Sequence, residues 1–379
     1  MTPLDHLPYG VFSTADRPPR AGVLVDDRVL DLADTAESGL LDVDPALFAA
    51  PSLNAFMAAG RSVWHATRDA LRDLLQEDVE GLVPLADARL HLPFEVADYV
   101  DFYSSRAHAE NLGRLFRPGS DPLTPNWLHL PIGYHGRAGT VVVSGTPVRR
   151  PSGQVKPPGA DAPVFRPSAR LDIELELGLV IGTGSNRGEP VPVDEALEHV
   201  FGVVLVNDWS ARDLQAWEYV PLGPFLGKSF ATSIAAWVTP LEGLQRVAAP
   251  AQAPEPLPHL RAAKRAVFDI ELEVDLNGET ISRTSAHNLY WTAEQQIAHL
   301  TSNGAALRTG DLLASGTISG DDPRSRGSLI ELTWNGAEPL RLADGSTRTF
   351  LEDGDEVVLR GTTAGFALGE VRGRIEPAG

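Results

Sequence analysis

In the segment LDIELELGLVIG, Asp172, Glu174 and Glu176 alternate with Ile173, Leu175 and Leu177. On a β-strand alternate side chains share a face, about 6.5 Å apart, so the three carboxylates are expected to line up. Read alone, this is a half-buried strand with a solvated acidic face. Like charges stacked in that way repel, however, and Gly178 and Val180 continue the same face without charge. A divalent cation would relieve the repulsion. With only oxygen ligands on offer, magnesium, calcium or manganese would suit. Asp208 closes the apolar run GVVLVND, and Asp101 opens the polar run DFYSSRAH. An acid at a strand end facing a loop-built cleft is well placed for a metal, although taken singly each is more often a turn or cap residue. His108 follows in the same polar run, near Tyr103, Arg106 and Arg117. A lone histidine is usually structural, and these neighbours raise the odds of a role only mildly.

Other motifs fail on spacing. GTGSNRG at Gly182 leads into Pro190 instead of a helix, so it is not a dinucleotide fingerprint. LGPFLGKS is one residue too short for a phosphate loop and carries Pro224 inside it. GKSFA around Ser229 ends in Ala231 where a nucleophile elbow requires glycine.

The elements that must position these residues fall into two units. Up to residue 93, Ala21–Val25 and Val29–Leu32 read as paired strands around Asp26-Asp27. Ser52 reads as an N-cap of a helix closing at Gly60, and Arg61–Gln76 as an amphipathic helix. From residue 94 to 379, short apolar strands are separated by Gly and Pro. Thr140–Ser144, Ile173–Ile181, Gly202–Val206, Val267–Leu276, Ser328–Thr333 and Glu356–Leu359 are expected as strands. Thr292 with Gln295 makes a capping box that opens a helix, and Asn303-Gly304 stops it. The chain of 379 residues is thus mainly β, with loops carrying the chemistry. Its net charge of −19 repels phosphate backbones and anionic membranes, so nucleic acid is an unfavourable partner. It has no cysteine, which excludes disulfides, thiolate zinc sites and a cysteine nucleophile. No apolar run approaches the roughly 20 residues of a membrane span. The start, Met1 to His6, has no leader pattern, and a cytoplasmic protein is expected.

Several long blocks in one order make the chain recognisable. DFYSSRAHAENLGRLFR, PNWLHLPIGYHGRAGTVVVSGTPVRRP, LDIELELG, GVVLVNDWSARDLQAWEYVPLGPFLGKSF and GDLLASGTISG resemble the fumarylacetoacetase family of C–C bond hydrolases. The resemblance implies a small N-terminal SH3-like barrel over residues 1–93, then a mixed β-sandwich or β-roll catalytic domain over 94–379. It also implies a homodimer and a small diketo-acid substrate, 4-fumarylacetoacetate, cleaved to fumarate and acetoacetate.

Site roles follow from the same resemblance. Asp101, Glu174, Glu176 and Asp208 match the family's calcium-type carboxylate cluster. Lys228 and Thr232 match positions beside a magnesium site, where an ammonium suits a neighbour of the ion better than a ligand. His108 matches the general base and Glu331 its orienting partner. Arg212, Gln215 and Lys228 match the oxyanion-stabilising groups. Tyr103, Arg117, Tyr134, Gln215, Tyr219 and Thr317 match the substrate contacts. Ala107 and Glu110, beside the base, depart from the family pattern. Water attack on a diketo acid needs a base, alkoxide donors and charge on the departing carbon, and each of these residue types supplies one. Two rivals remain at this point: a diketo-acid decarboxylase or tautomerase of the same superfamily, and a calcium-stabilised binding module.

Overall fold

The computed structural model describes residues 3–77 and 79–379. Met1 and Thr2, part of the segment read as lacking a leader, lie outside the described residues. Among the described residues no helix is long and apolar enough to cross a membrane.

One sheet organises the molecule. Eight of its thirteen strands frame the site: β1 (Tyr9–Ser13), β2 (Tyr99–Phe102), β3 (Gly133–His135), β4 (Leu175–Ile181), β5 (Val200–Asp208), β6 (Thr232–Ile234), β7 (Trp237–Pro240) and β8 (Leu312–Ala314). They run in the order β1-β7-β5-β4-β8-β2-β3, with β6 also paired to β5. Five helices matter below: α1 (Arg61–Leu74), α2 (Arg106–Phe116), α3 (Arg212–Glu218), α4 (Ala293–Thr301) and α5 (Leu329–Leu332).

β4 and β5 are apolar on both faces because both faces are covered. Leu177, Leu179, Val203 and Leu205 pack against Leu272, Val274, Leu359 and Val371 of a five-stranded sheet formed by residues 148–149, 271–285 and 356–376. The opposite face carries Val180, Val204 and Val206, which pack with Tyr9, Phe56 and Trp64 of the N-terminal unit. That unit holds the expected hairpin, with Val25 opposite Arg28 across Asp26-Asp27. Its sheet is continuous with the central one, since Tyr9 pairs with Val238 and Gly10 with Trp237.

Several expected elements shift. The helix after Ser52 covers Asn54–Ala58 with Leu53 at the cap position, although Ser52 Oγ still accepts the Asn54 N–H at 3.2 Å. α1 ends at Leu74, two residues before Gln76. Val267–Leu276 is two strands, Ala266–Phe268 and Glu271–Leu276, and the 173–181 strand begins at Leu175. The segment 328–333 is a correction of type: it forms α5, not a strand. A short apolar run such as Leu-Ile-Glu-Leu fits either period, and Ser328 three residues before Glu331 is a helix-start signature that favours the helix. α4 keeps its expected start, where Gln295 Oε1 accepts the Thr292 N–H at 3.2 Å, and Gly304 at φ +87° stops it.

Candidate active site

The face of the central sheet that is apolar in its middle turns acidic at one end. On β5 the series Val204, Val206 ends in Asp208, and on β4 Val180 and Gly178 lead back to Glu176 and then Glu174. β2 supplies Asp101, in register with Ala314 on one side and Tyr134 on the other. Carboxylate oxygens of Asp101, Glu174, Glu176 and Asp208 lie within 4.8 Å of one another, and all four residues are buried. Asp172 does not join them. The backbone leaves the strand between Asp172 and Leu175, so the expected row of three acids on one face holds for only two.

Two buried cations stand against this cluster. Lys228 Nζ contacts Glu174 Oε2 and lies 2.6 Å from Asp208 Oδ2. Arg212 Nη2 lies 2.7 Å from Glu174 Oε1, a charge contact whose alignment falls short of a hydrogen bond. Burial alone would push Glu174 up, yet Lys228 and Arg212 outweigh it and hold that carboxyl below its usual range. Asp101 and Glu176 go the other way: burial and the neighbouring carboxylates raise both well above theirs. Asp101 Oδ1 and Glu176 Oε1 are buried without a hydrogen-bond partner. Unpaired buried carboxylate oxygens converging on one point fit a hard divalent cation. Thr232 Oγ1 donates to Asp208 Oδ1 at 3.0 Å and Tyr134 OH to Asp208 Oδ2 at 2.9 Å.

Glu176 is aimed from the far side by the Gly316 N–H, at 3.1 Å. Gly316 sits at φ +76°, and a Cβ there would lie 2.1 Å from the Phe102 carbonyl oxygen. Only glycine meets both requirements.

Beside the cluster, α2 and α5 bring His108 and Glu331 together, Nδ1 to Oε2 at 2.6 Å. Glu331 also accepts from Ser319 Oγ (2.9 Å), Ser328 Oγ (2.7 Å) and Asn111 Nδ2 (2.9 Å). Burial pushes Glu331 up, but His108 and these donors outweigh it and leave the carboxyl below the usual range. An ionised carboxylate can only accept, so Nδ1 carries the imidazole proton. The other ring nitrogen, Nε2, lies 3.9 Å from Glu174 Oε1. Sequence reasoning did not find Asn111, Ser319 or Ser328. Asn111 lies one helical turn after His108, a spacing that could have flagged it. Ser319 approaches from a distant loop and leaves no such signal.

A cleft of about 440 Å³ opens onto these groups. Asp101, Tyr103, His108, Tyr134, Glu174, Arg212, Gln215, Lys228 and Thr317 line it, with Arg117 and Tyr219 at its exposed rim. Glu176, Asp208, Thr232 and Glu331 are buried and absent from that lining. Gln215 Oε1 accepts from Arg212 Nη1 at 3.2 Å, and Tyr103 meets the His108 ring edge-on at 5.3 Å. Glu110, one of the two departures beside the base, points away. It pairs with Arg106 and Arg114 on the outer face of α2, each at 2.8 Å.

An imidazole held by a carboxylate faces an acidic cluster able to hold a metal, and comparison with known proteins places this site in an enzyme of the hydrolase class. Residues 98–376 match the family model for the fumarylacetoacetate (FAA) hydrolase C-terminal region, and residues 5–93 that for the fumarylacetoacetase N-terminal region. The chain belongs to the fumarylacetoacetase family. It is 48% identical to the fumarylacetoacetase of Rattus norvegicus and 47% to that of Homo sapiens, each alignment covering 99% of this chain and 96% of the relative. The Arabidopsis thaliana fumarylacetoacetase is 45% identical over the same shares. The fold is shared with fumarylacetoacetate hydrolase from Exiguobacterium antarcticum, at 20% identity and a TM-score of 0.58, covering 98% of this chain and 99% of that one.

Proposed function

We propose that this chain hydrolyses 4-fumarylacetoacetate to fumarate and acetoacetate, the last step of tyrosine and phenylalanine degradation. The observation that carries the reading is the buried His108–Glu331 pair, whose imidazole opens onto a cleft lined by cationic donors. His108 Nε2 takes a proton from water, whose oxygen adds to the ketone carbon of the fumaroyl group itself, the carbon that becomes a carboxylate of fumarate. Glu331 keeps the imidazole in the tautomer that makes this possible and stabilises its charged form. Arg212, Gln215 and Lys228 donate to the alkoxide that forms. As the carbonyl reforms, the C–C bond breaks, its electron pair leaves with the acetoacetate fragment, and the proton on His108 returns to that fragment. Arg117 at the rim, with Tyr103, Tyr134, Tyr219 and Thr317, suits the carboxylate ends of the substrate, which a strongly acidic protein must attract locally.

Asp101, Glu174, Glu176 and Asp208 would hold a calcium or magnesium ion, which supplies Lewis-acid charge for the oxygens of the diketone. Thr232 and Lys228 neighbour that ion. A homodimer in the cytoplasm completes the reading. Its support is an apolar stretch beside the cleft, with Leu222 97%, Phe225 70% and Val220 67% exposed, a concentration unusual for a free surface. A decarboxylase or tautomerase would not need the oriented base, and full-length identity to curated fumarylacetoacetases does not favour it.

The test is turnover of purified protein on 4-fumarylacetoacetate and a panel of shorter 3-ketoacyl acids, with both products quantified. Stoichiometric fumarate and acetoacetate are expected. Carbon dioxide release or keto–enol exchange without cleavage would replace the reading.

A further inference from the structure

Asp172, expected among the metal-facing acids, is engaged elsewhere, and its four contacts join two parts of the site. The side chain is fully buried. Oδ2 accepts from Arg212 Nε at 2.8 Å and from the Ile330 N–H at 3.1 Å. Oδ1 accepts from the Leu329 N–H at 2.7 Å and from its neighbour's Ile173 N–H at 2.8 Å. Leu329 and Ile330 are the first two residues of α5, and Glu331 is the third.

A helix of four residues has almost no stability of its own, so its direction is set by what holds its ends. Its first N–H groups have no partner inside the helix. Asp172 supplies that partner for two of them. The same carboxylate fixes the guanidinium of Arg212, whose other nitrogens reach Gln215 Oε1 and Glu174 Oε1. A one-residue link therefore runs from the group that orients the base to the group that faces the developing alkoxide.

We propose that Asp172 is a positioning residue for hydrolysis, acting through Arg212 and through the α5 backbone that aims Glu331. The inference rests on the reaction proposed above. The simpler role, neutralising a buried arginine, makes a different prediction, because it asks only for charge. Asp172→Asn presents an amide N–H₂ to a site built of four N–H donors, so either Arg212 with Ile330 or Ile173 with Leu329 loses its acceptor. Asp172→Glu keeps the charge but moves it by one methylene.

The experiment measures kcat, KM and thermal midpoint for both variants, alone and in a Glu331→Gln background. Both single variants are expected to lose about 10- to 100-fold in kcat with KM little changed, since a displacement of about 1 Å can cost on the order of 10²-fold. In the Glu331→Gln background each is expected to cost less, because one of the two groups it acts through is already impaired. Wild-type kcat in a folded Asp172→Glu, or equal losses in both backgrounds, overturns the proposal. Failure of both variants to fold overturns it too, since a purely structural carboxylate predicts that. If the unmodified protein does not cleave 4-fumarylacetoacetate, the reaction reading fails instead, and the two failures are thereby told apart.

Discussion

His108 and Glu331 are 223 positions apart in the chain and meet at 2.6 Å in its interior. Neither belongs to the central sheet: one sits in the first turn of α2, the other on the short helix α5. His108→Ala and Glu331→Gln are each expected to lower kcat by about 10²–10⁴-fold, far more than they disturb folding or metal content. Steady-state kinetics beside calorimetry checks this, and full kcat in a folded Glu331→Gln would reject the dyad.

Metal removal should be felt in stability as well as in rate. Four buried carboxylates share one small volume, with Lys228 and Arg212 the cations in contact with them among the described residues. A cation at a hundredfold excess over its dissociation constant stabilises by about 2.7 kcal/mol. Exhaustive chelation is expected to lower the thermal midpoint and abolish turnover, and readdition of calcium or magnesium to restore both. An unchanged midpoint after confirmed metal loss would count against the cluster as a metal site.

The oxyanion groups can be separated from simple charge balance. Lys228→Met and Gln215→Leu are expected to depress kcat strongly and to weaken a tetrahedral phosphinate mimic in parallel with the rate. Affinity for a planar diketo-acid analogue should change little. Equal losses for the two ligand shapes would remove both residues from that role.

A pH effect is expected far from the cleft, at Asp355. Burial would raise this carboxyl, but Arg348, Asn277 and the Glu352 N–H all donate to it and leave it below its ordinary value. A depressed carboxyl contributes stability above its unfolded pKa of about 3.9, and that contribution disappears as pH falls through the lower folded value. Asp355→Asn is therefore expected to lower the midpoint at pH 7, with the gap to the unmodified protein shrinking below pH 4. A gap independent of pH would show that the loss is not electrostatic.

What the sequence made legible divides along physical lines. Carboxylates at strand ends and the long apolar runs of β4 and β5 could be read because strand period and burial act locally. The assignment of His108 to Glu331 came from family resemblance, since no local rule links residues so far apart. Asp172 was misplaced because alternation was carried through a break: the strand stops before Ile173 and resumes at Leu175. α5 was misread because four apolar-rich residues carry too little period to choose between helix and strand, and the long-range contacts of Asp172 and Asn111 reinforce the choice.

The seam between β1 and β7 has a consequence for the whole chain. Gly10 lies so close to Trp237 that a Cβ there would come within 2.5 Å of the indole, and Phe201 of β5 meets Phe56 and Trp64 edge-on and Tyr9 at a tilt. A fragment starting at residue 94 would expose an unpaired edge on β7 and strip the cover from Phe201, Val180, Val204 and Val206 on the catalytic strands, both liabilities for aggregation. The first ninety residues thus roof the far face of the catalytic sheet, and a shared sheet and core tie the two parts together.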